Sequence, residues 1–189
     1  TEWDGLVPAV QSAKIDAIIA GMSPTAERKE SIDFTDVYYT SDLVMVVKKG
    51  GKYENATKLS DFKGATITGQ LNTFHYTVID QIDGVKKDTA MDNFPAMRVA
   101  LESGKIDGYV SERPEGVSAT SANKNFAMVE FADGQGFKTS DEDTAIAVGL
   151  KKDSDLKDKI NKILAGISED ERKDLMDQAI KDQPASEDN

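Results

Sequence analysis

Two charged side chains stand at matching places in this chain. Arg28 closes the loop Gly21-Met22-Ser23-Pro24-Thr25-Ala26-Glu27, which follows the apolar run Ala17-Ile18-Ile19-Ala20; Glu112 follows the run Gly108-Tyr109-Val110-Ser111. A guanidinium is a planar fork that meets a carboxylate through two parallel hydrogen bonds. An ionised glutamate only accepts, and so suits an ammonium group. A zwitterion with adjacent ammonium and carboxylate groups needs such a pair. A third polar element lies between them in sequence. A short strand at residues 65–68 leads through Gly69-Gln70-Leu71-Asn72 into a helix beginning near Thr73, and the free N–H groups of a helix start attract anions. Asn72 or Thr73 could instead serve only as the cap of that helix.

The elements that position these groups occur twice. Val10-Gln11-Ser12-Ala13-Lys14-Ile15-Asp16 returns 91 positions later as Leu101-Glu102-Ser103-Gly104-Lys105-Ile106-Asp107, each copy after a Pro-Ala pair and before an apolar run. The pattern is the end of an amphipathic helix, a tight turn and a buried strand. Two copies predict two similar α/β lobes with a cleft between them. Ligands of open α/β sheets bind beyond the carboxyl ends of the strands, where the two copies differ. Gly104 suits the left-handed turn after its helix, whereas Ala13 at the matching position bears a cost of roughly 1 kcal/mol.

Around this repeat, residues 5–13 read as a helix, 15–20 as a strand and 26–31 as a helix capped by Thr25. A β-rich run at 43–47 precedes strands at 65–68, 87–90, 106–110 and 126–131, which alternate with helices at 73–82, 94–103 and 114–123. That alternation indicates βαβ units and mainly parallel sheets flanked by helices. A second β-rich run spans 144–150, then a helix carries Leu156, Ile160, Ile163 and Leu164. Ser168 with Glu171 reads as the capping box of a last helix, and Pro184 with the tail to Asn189 is expected to fray. The second copy has a full set of elements ahead of it, from about residue 43 to 100, and the first only about nine residues of helix. The first lobe is therefore expected to lack an N-terminal strand and helix, and the chain to be a piece of a longer protein.

Composition excludes several classes. A formal charge of −11 over 189 residues opposes nucleic-acid binding, which needs clustered Lys and Arg. With 39% apolar and 30% charged residues the chain reads as globular, and no apolar run approaches the ~20 residues that span a bilayer. Zero cysteines exclude disulfides and thiolate chemistry, and the single histidine, His75, reads as a capping or surface group on the first turn of its helix. Asp141-Glu142-Asp143 reads as a solvated acidic turn. Ser121 and Lys124 match a nucleophile spacing by chance, and Gly134-Gln135-Gly136 is too sparse for a phosphate loop. No metal, cofactor or catalytic residue is expected.

Several stretches resemble the bacterial extracellular solute-binding proteins of family 3, the polar amino-acid receptors of ABC importers. They are Trp3 to Val10 with Lys14-Ile15-Asp16, Met22 to Arg28, Ile32-Asp33-Phe34-Thr35-Asp36-Val37-Tyr38-Tyr39, Leu101 to Asp107, and Ala145 to Leu150. The resemblance covers nearly the whole chain, and its T-x-E-R-x-x-x-I-D-F run is specific. It implies a two-lobed fold of the type II periplasmic-binding-protein kind. Lobe 1 would be residues 1–41 and 142–189, incomplete at its start, and lobe 2 residues 42–141, joined by hinge strands near 38–46 and 139–147. Arg28 would hold the ligand α-carboxylate, assisted by Thr73 with Asn72 beside it, and Glu112 the α-amino group with carbonyls at Gly21 and Ser23. Two departures stand out: Leu71 where the family usually has Gly, and Glu112 where it often has Asp. The function implied is capture of a free polar L-amino acid and delivery to a membrane permease; abundant acidic side chains and the long acid at position 112 favour a basic ligand such as arginine. The site would be extracytoplasmic, in the periplasm or on a lipid-anchored protein. The alternatives are an enzyme of the same fold, such as a cyclohexadienyl dehydratase-like lyase, and the sensing ectodomain of a receptor. An incomplete lobe 1 would also expose apolar surface that self-association or a second chain could cover.

Overall fold

The structure, a computed structural model, describes residues 2–182. The chain divides into two compact units: the residues up to Ser41 with Ser140–Ala179, and Asp42–Thr139 with the chain from Ile180. The first segment forms α1 (Leu6–Gln11), β1 (Ala17–Ile18), α2 (Ala26–Ser31), β2 (Asp33–Phe34) and β3 (Tyr39–Thr40). The middle segment forms β4 (Leu43–Lys48), β5 (Thr66–Thr68), α3 (Phe74–Thr77), β6 (Lys86–Lys87), α4 (Phe94–Ser103), β7 (Gly108–Glu112), α5 (Arg113–Ala122) and β8 (Phe126–Val129). The last forms α6 (Asp141–Thr144), β9 (Ala145–Ile146), β10 (Gly149–Leu150), α7 (Leu156–Leu164) and α8 (Glu169–Asp182). Pro184 and the tail to Asn189, expected to fray, lie outside the described residues.

The second unit is built on a five-stranded sheet in the order β6-β5-β7-β4-β8. Here β6, β5 and β7 run parallel, and β4 lies antiparallel between β7 and β8. Side chains alternate across a strand, so Leu43, Met45 and Val47 of β4 enter one apolar layer with Phe62, Ile67 and Ile79. Val46 enters the opposite layer with Met97, Leu101, Tyr109 and Phe126. Covering on both faces explains why β4 is an unbroken apolar run. The first unit holds β1-β10-β2, with β10 antiparallel to both neighbours, and a separate ladder of β3 with β9. Its core joins Val10, Ile18, Met22, Ile32, Phe34 and Ala147.

Rather than mainly parallel, the five-stranded sheet is therefore mixed and the three-stranded one antiparallel, each with one reversed strand, β4 and β10. Both β4 and β10 follow soon after the chain passes from one unit to the other, and a crossover helix, which enforces parallel pairing, precedes neither. The repeated turn matches bond for bond. Lys14 and Ile15 donate backbone N–H to Ala9 O at 2.9 and 3.4 Å; Lys105 and Ile106 donate to Ala100 O at 2.9 and 3.4 Å. Gly104 has φ 79°, and Ala13 is left-handed as expected, at φ 56°.

Three local expectations change. Residues 73–82 do not make one helix: four-residue α3 passes into a 3-10 turn at Val78–Gln81, where β-branched Thr77, Val78 and Ile79 disfavour the α form. The run 144–150 splits into β9 and β10 because Val148 N–H donates to the Thr35 hydroxyl at 3.0 Å instead of to a ladder carbonyl. The acidic turn is the helix α6, closed by a reciprocal Ser140–Asp143 capping box, and its three acids sit at the positive end of the helix dipole.

Candidate functional site

The candidate residues are placed by elements of their own unit. In the first unit, β1 ends and the chain turns at Gly21 in a left-handed conformation, φ 67°. Met22 and Ser23 are buried there. The Ser23 hydroxyl donates to Asp143 O at 2.7 Å, tying this loop to α6. Thr25 caps α2, accepting the Arg28 backbone N–H on its hydroxyl at 3.4 Å. The cap starts the helix, and the helix carries Arg28 back over its own loop. Arg28 Nη1 donates to Ser23 O at 3.0 Å, and its guanidinium carbon lies 5.4 Å from the centre of the Trp3 ring. The arginine is thus clamped between a carbonyl and an aromatic face, an arrangement that removes rotamer freedom before any anion arrives. The structure brings Arg28, on α2, back against the loop that holds Gly21 and Ser23.

In the second unit, Asn72, Thr73 and Glu112 belong to two neighbouring elements. Gly69 lets the chain pass tightly at the end of β5: a Cβ there would stand 2.7 Å from His75 O and 2.9 Å from Tyr76 Cα. The left-handed residue of the turn is Asn72, φ 56°, and not Leu71, and asparagine tolerates that conformation well. Leu71 therefore needs no glycine-like freedom. Thr73 is the cap residue of α3 by position, but its hydroxyl caps nothing: it donates back to Gln70 O at 2.9 Å. Glu112 ends β7 and precedes α5 without capping it.

His75 is not a surface group. It is 6% exposed, with Nε2 3.6 Å from Glu112 Oε1. A histidine flanked by Phe74 and Tyr76, just after a glycine that draws the helix close, was the signal available for its burial. Two cavities within single units lie elsewhere. One of about 490 Å³ in the first unit is lined by Ile32, Phe34, Val37 and Lys157, and one of about 610 Å³ in the second by Leu43, Arg113, Phe131 and Phe137.

This arginine after the first repeat, and this carboxylate after the second, sit in a chain that matches the family model of bacterial extracellular solute-binding proteins, family 3, over residues 1–181. The chain belongs to that family. It is 29% identical over 169 residues to the arginine-binding extracellular protein ArtP of Bacillus subtilis, covering 86% of this chain and 62% of that one. It is 31% identical over 180 residues to the ABC transporter glutamine-binding protein GlnH of the same organism, covering 95% and 63%. A crystal structure of an amino-acid ABC transporter substrate-binding protein from Streptococcus pneumoniae, bound to L-arginine, superposes with a TM-score of 0.82 at 27% identity, covering 96% of this chain and 74% of that one. The chain thus spans less than two thirds of the length of either Bacillus relative. The family is one of extracellular solute-binding proteins, and both Bacillus relatives are binding proteins. Among the described residues, no helix is long and apolar enough to cross a membrane.

Proposed function

We propose that this protein captures a free L-amino acid outside the cytoplasm and passes it to the permease of an ABC importer, with arginine as the preferred ligand. Arg28 receives the ligand α-carboxylate, with Thr73 and Asn72 at the second unit's turn; Glu112 receives the α-ammonium, with carbonyls at Gly21 and Ser23. The two segments joining the units, near residues 38–46 and 139–147, act as the hinge. The observation that carries this reading is the clamped guanidinium: Arg28, on the helix that follows the loop after the first repeated strand, is held by Ser23 O and the Trp3 ring. Its counterpart at the end of the second is a carboxylate. Arginine is preferred because both ArtP and the pneumococcal protein bind it; glutamine is the competing ligand, on the likeness to GlnH.

The test is native mass spectrometry of the full-length protein with an equimolar mixture of the common amino acids, followed by calorimetry with the one retained. Arginine is expected to be retained intact. Arg28→Ala should weaken it by at least about a hundredfold, as the loss of a two-pronged charged hydrogen bond requires. Unchanged affinity refutes the carboxylate role, and conversion of any amino acid to product refutes binding without catalysis.

A further inference from the structure

Among the described residues of the second unit, His75 is a buried side chain with both polar atoms unpaired. Neither ring nitrogen makes a hydrogen bond, although the side chain is 7% exposed, and buried polar groups are normally paired. The ring is held by aromatic neighbours, with Phe74 at 4.7 Å and Phe94 at 6.4 Å between centroids. It is aimed so that Nε2 stands 3.6 Å from Glu112 Oε1, near enough for ionic attraction and less than an ångström beyond a hydrogen bond. Glu112 in turn has a side chain 16% exposed. A carboxylate so nearly buried needs a donor to hold one oxygen if the other is to meet a ligand.

Resting on the assignment of Glu112 to the ligand ammonium, we infer that His75 is the positioning residue for that carboxylate. A small movement of either side chain closes the 3.6 Å gap, so that Nε2–H donates to Oε1, fixes the carboxylate and leaves Oε2 for the ligand.

The full-length protein is titrated calorimetrically with L-arginine. His75→Gln keeps an N–H donor, so it should bind within about threefold of wild type. His75→Phe should lose on the order of tenfold, one hydrogen bond to a charged group. Glu112→Gln should weaken binding in every background. Should Glu112→Gln leave affinity unchanged, the ammonium assignment fails and this inference with it. Should Glu112→Gln weaken binding while His75→Phe keeps wild-type affinity, the role of His75 alone is overturned. A ligand-free reading guards against variants that do not fold: ring ¹⁵N shifts of His75 in the wild-type protein should report the proton on Nε2, and a proton on Nδ1 in its place refutes the donor role.

Discussion

The two repeats share a backbone and differ in what they bury. Bond for bond, the turn after α1 copies the turn after α4, yet the second copy houses a charged network where the first is apolar. In the second unit Arg98 meets Glu115 through Nε at 3.3 Å and Nη2 at 2.8 Å, and the Tyr109 hydroxyl donates to the same carboxylate at 3.1 Å. At the same 91-residue offset the first unit has Val7 and Ile18 in place of Arg98 and Tyr109, both in or against its apolar core. The helix–turn–strand frame is therefore indifferent to the polarity of the layer beneath it. What it fixes is the position that follows the strand's apolar run, Gly21 in one copy and Glu112 in the other.

The largest expected effect tests that indifference. Arg98→Met leaves the Glu115 carboxylate, 12% exposed as a side chain, without its cation, and should cost about 3 kcal/mol by urea unfolding. Arg98→Met with Glu115→Leu, which makes the second unit resemble the first, should recover to within about 1 kcal/mol of wild type or exceed it. If the double variant is as weak as the single one, the network is an obligatory part of the second fold and the two layers are not interchangeable.

Most of this comparison was legible in the sequence, because it rests on local signals. The boundaries of α4 follow from Asn93, whose side chain accepts the Ala96 N–H at 3.0 Å, and from Gly104 at the other end. Thr25 announces α2 in the same way. α6 was also announced, by a serine three residues before an aspartate, but three consecutive acids suggested a solvated turn. What could not be read locally depends on partners far along the chain. The break between β9 and β10 needs Thr35, 113 residues away. The burial of His75 needs the end of β7. For the candidate site, the place of Arg28 on α2 was readable because its cap and its bond to Ser23 O are local, whereas its packing on Trp3 was not. The misplaced hydroxyl of Thr73 was not, since position alone suggested a cap.

A smaller effect sharpens the equivalence of the two turns. Ala13 and Gly104 are both left-handed, and a Cβ at Gly104 would meet only Lys48 Nζ at 3.6 Å, ordinary contact. Space is available, so the penalty at either turn is conformational. Gly104→Ala should destabilise the protein by about 1 kcal/mol and Ala13→Gly should stabilise it by up to about the same amount. Equal and opposite shifts in the urea midpoint mean the turns are energetically the same; a Gly104→Ala cost several times larger would reveal a packing constraint peculiar to the second copy.

The smallest effect separates the units by the sign of their response to acid. In the first unit the backbone N–H of Asp153, at 3.0 Å, and then the Lys152 ammonium, at 3.1 Å, hold the Asp33 carboxyl below its usual range. Its unfolded form takes up a proton first. The stability it contributes is therefore present above the ordinary carboxylate value near 4 and is lost as pH falls through the lower folded value. In the second unit burial pushes the Glu115 carboxyl up, with Arg98 only partly offsetting it. There the folded form takes up the proton first, so stability rises as pH falls through the window above the ordinary value. Urea unfolding between pH 3 and pH 7 should show wild type losing its advantage over Asp33→Asn at the acid end. Over the weakly acidic part of the range, wild type should instead gain on Glu115→Gln as pH falls. Two differences that move together would mean that Glu115 is held ionised by its arginine as securely as Asp33 is by its lysine, and the contrast between a desolvated layer in one unit and a solvated ion pair in the other would not stand.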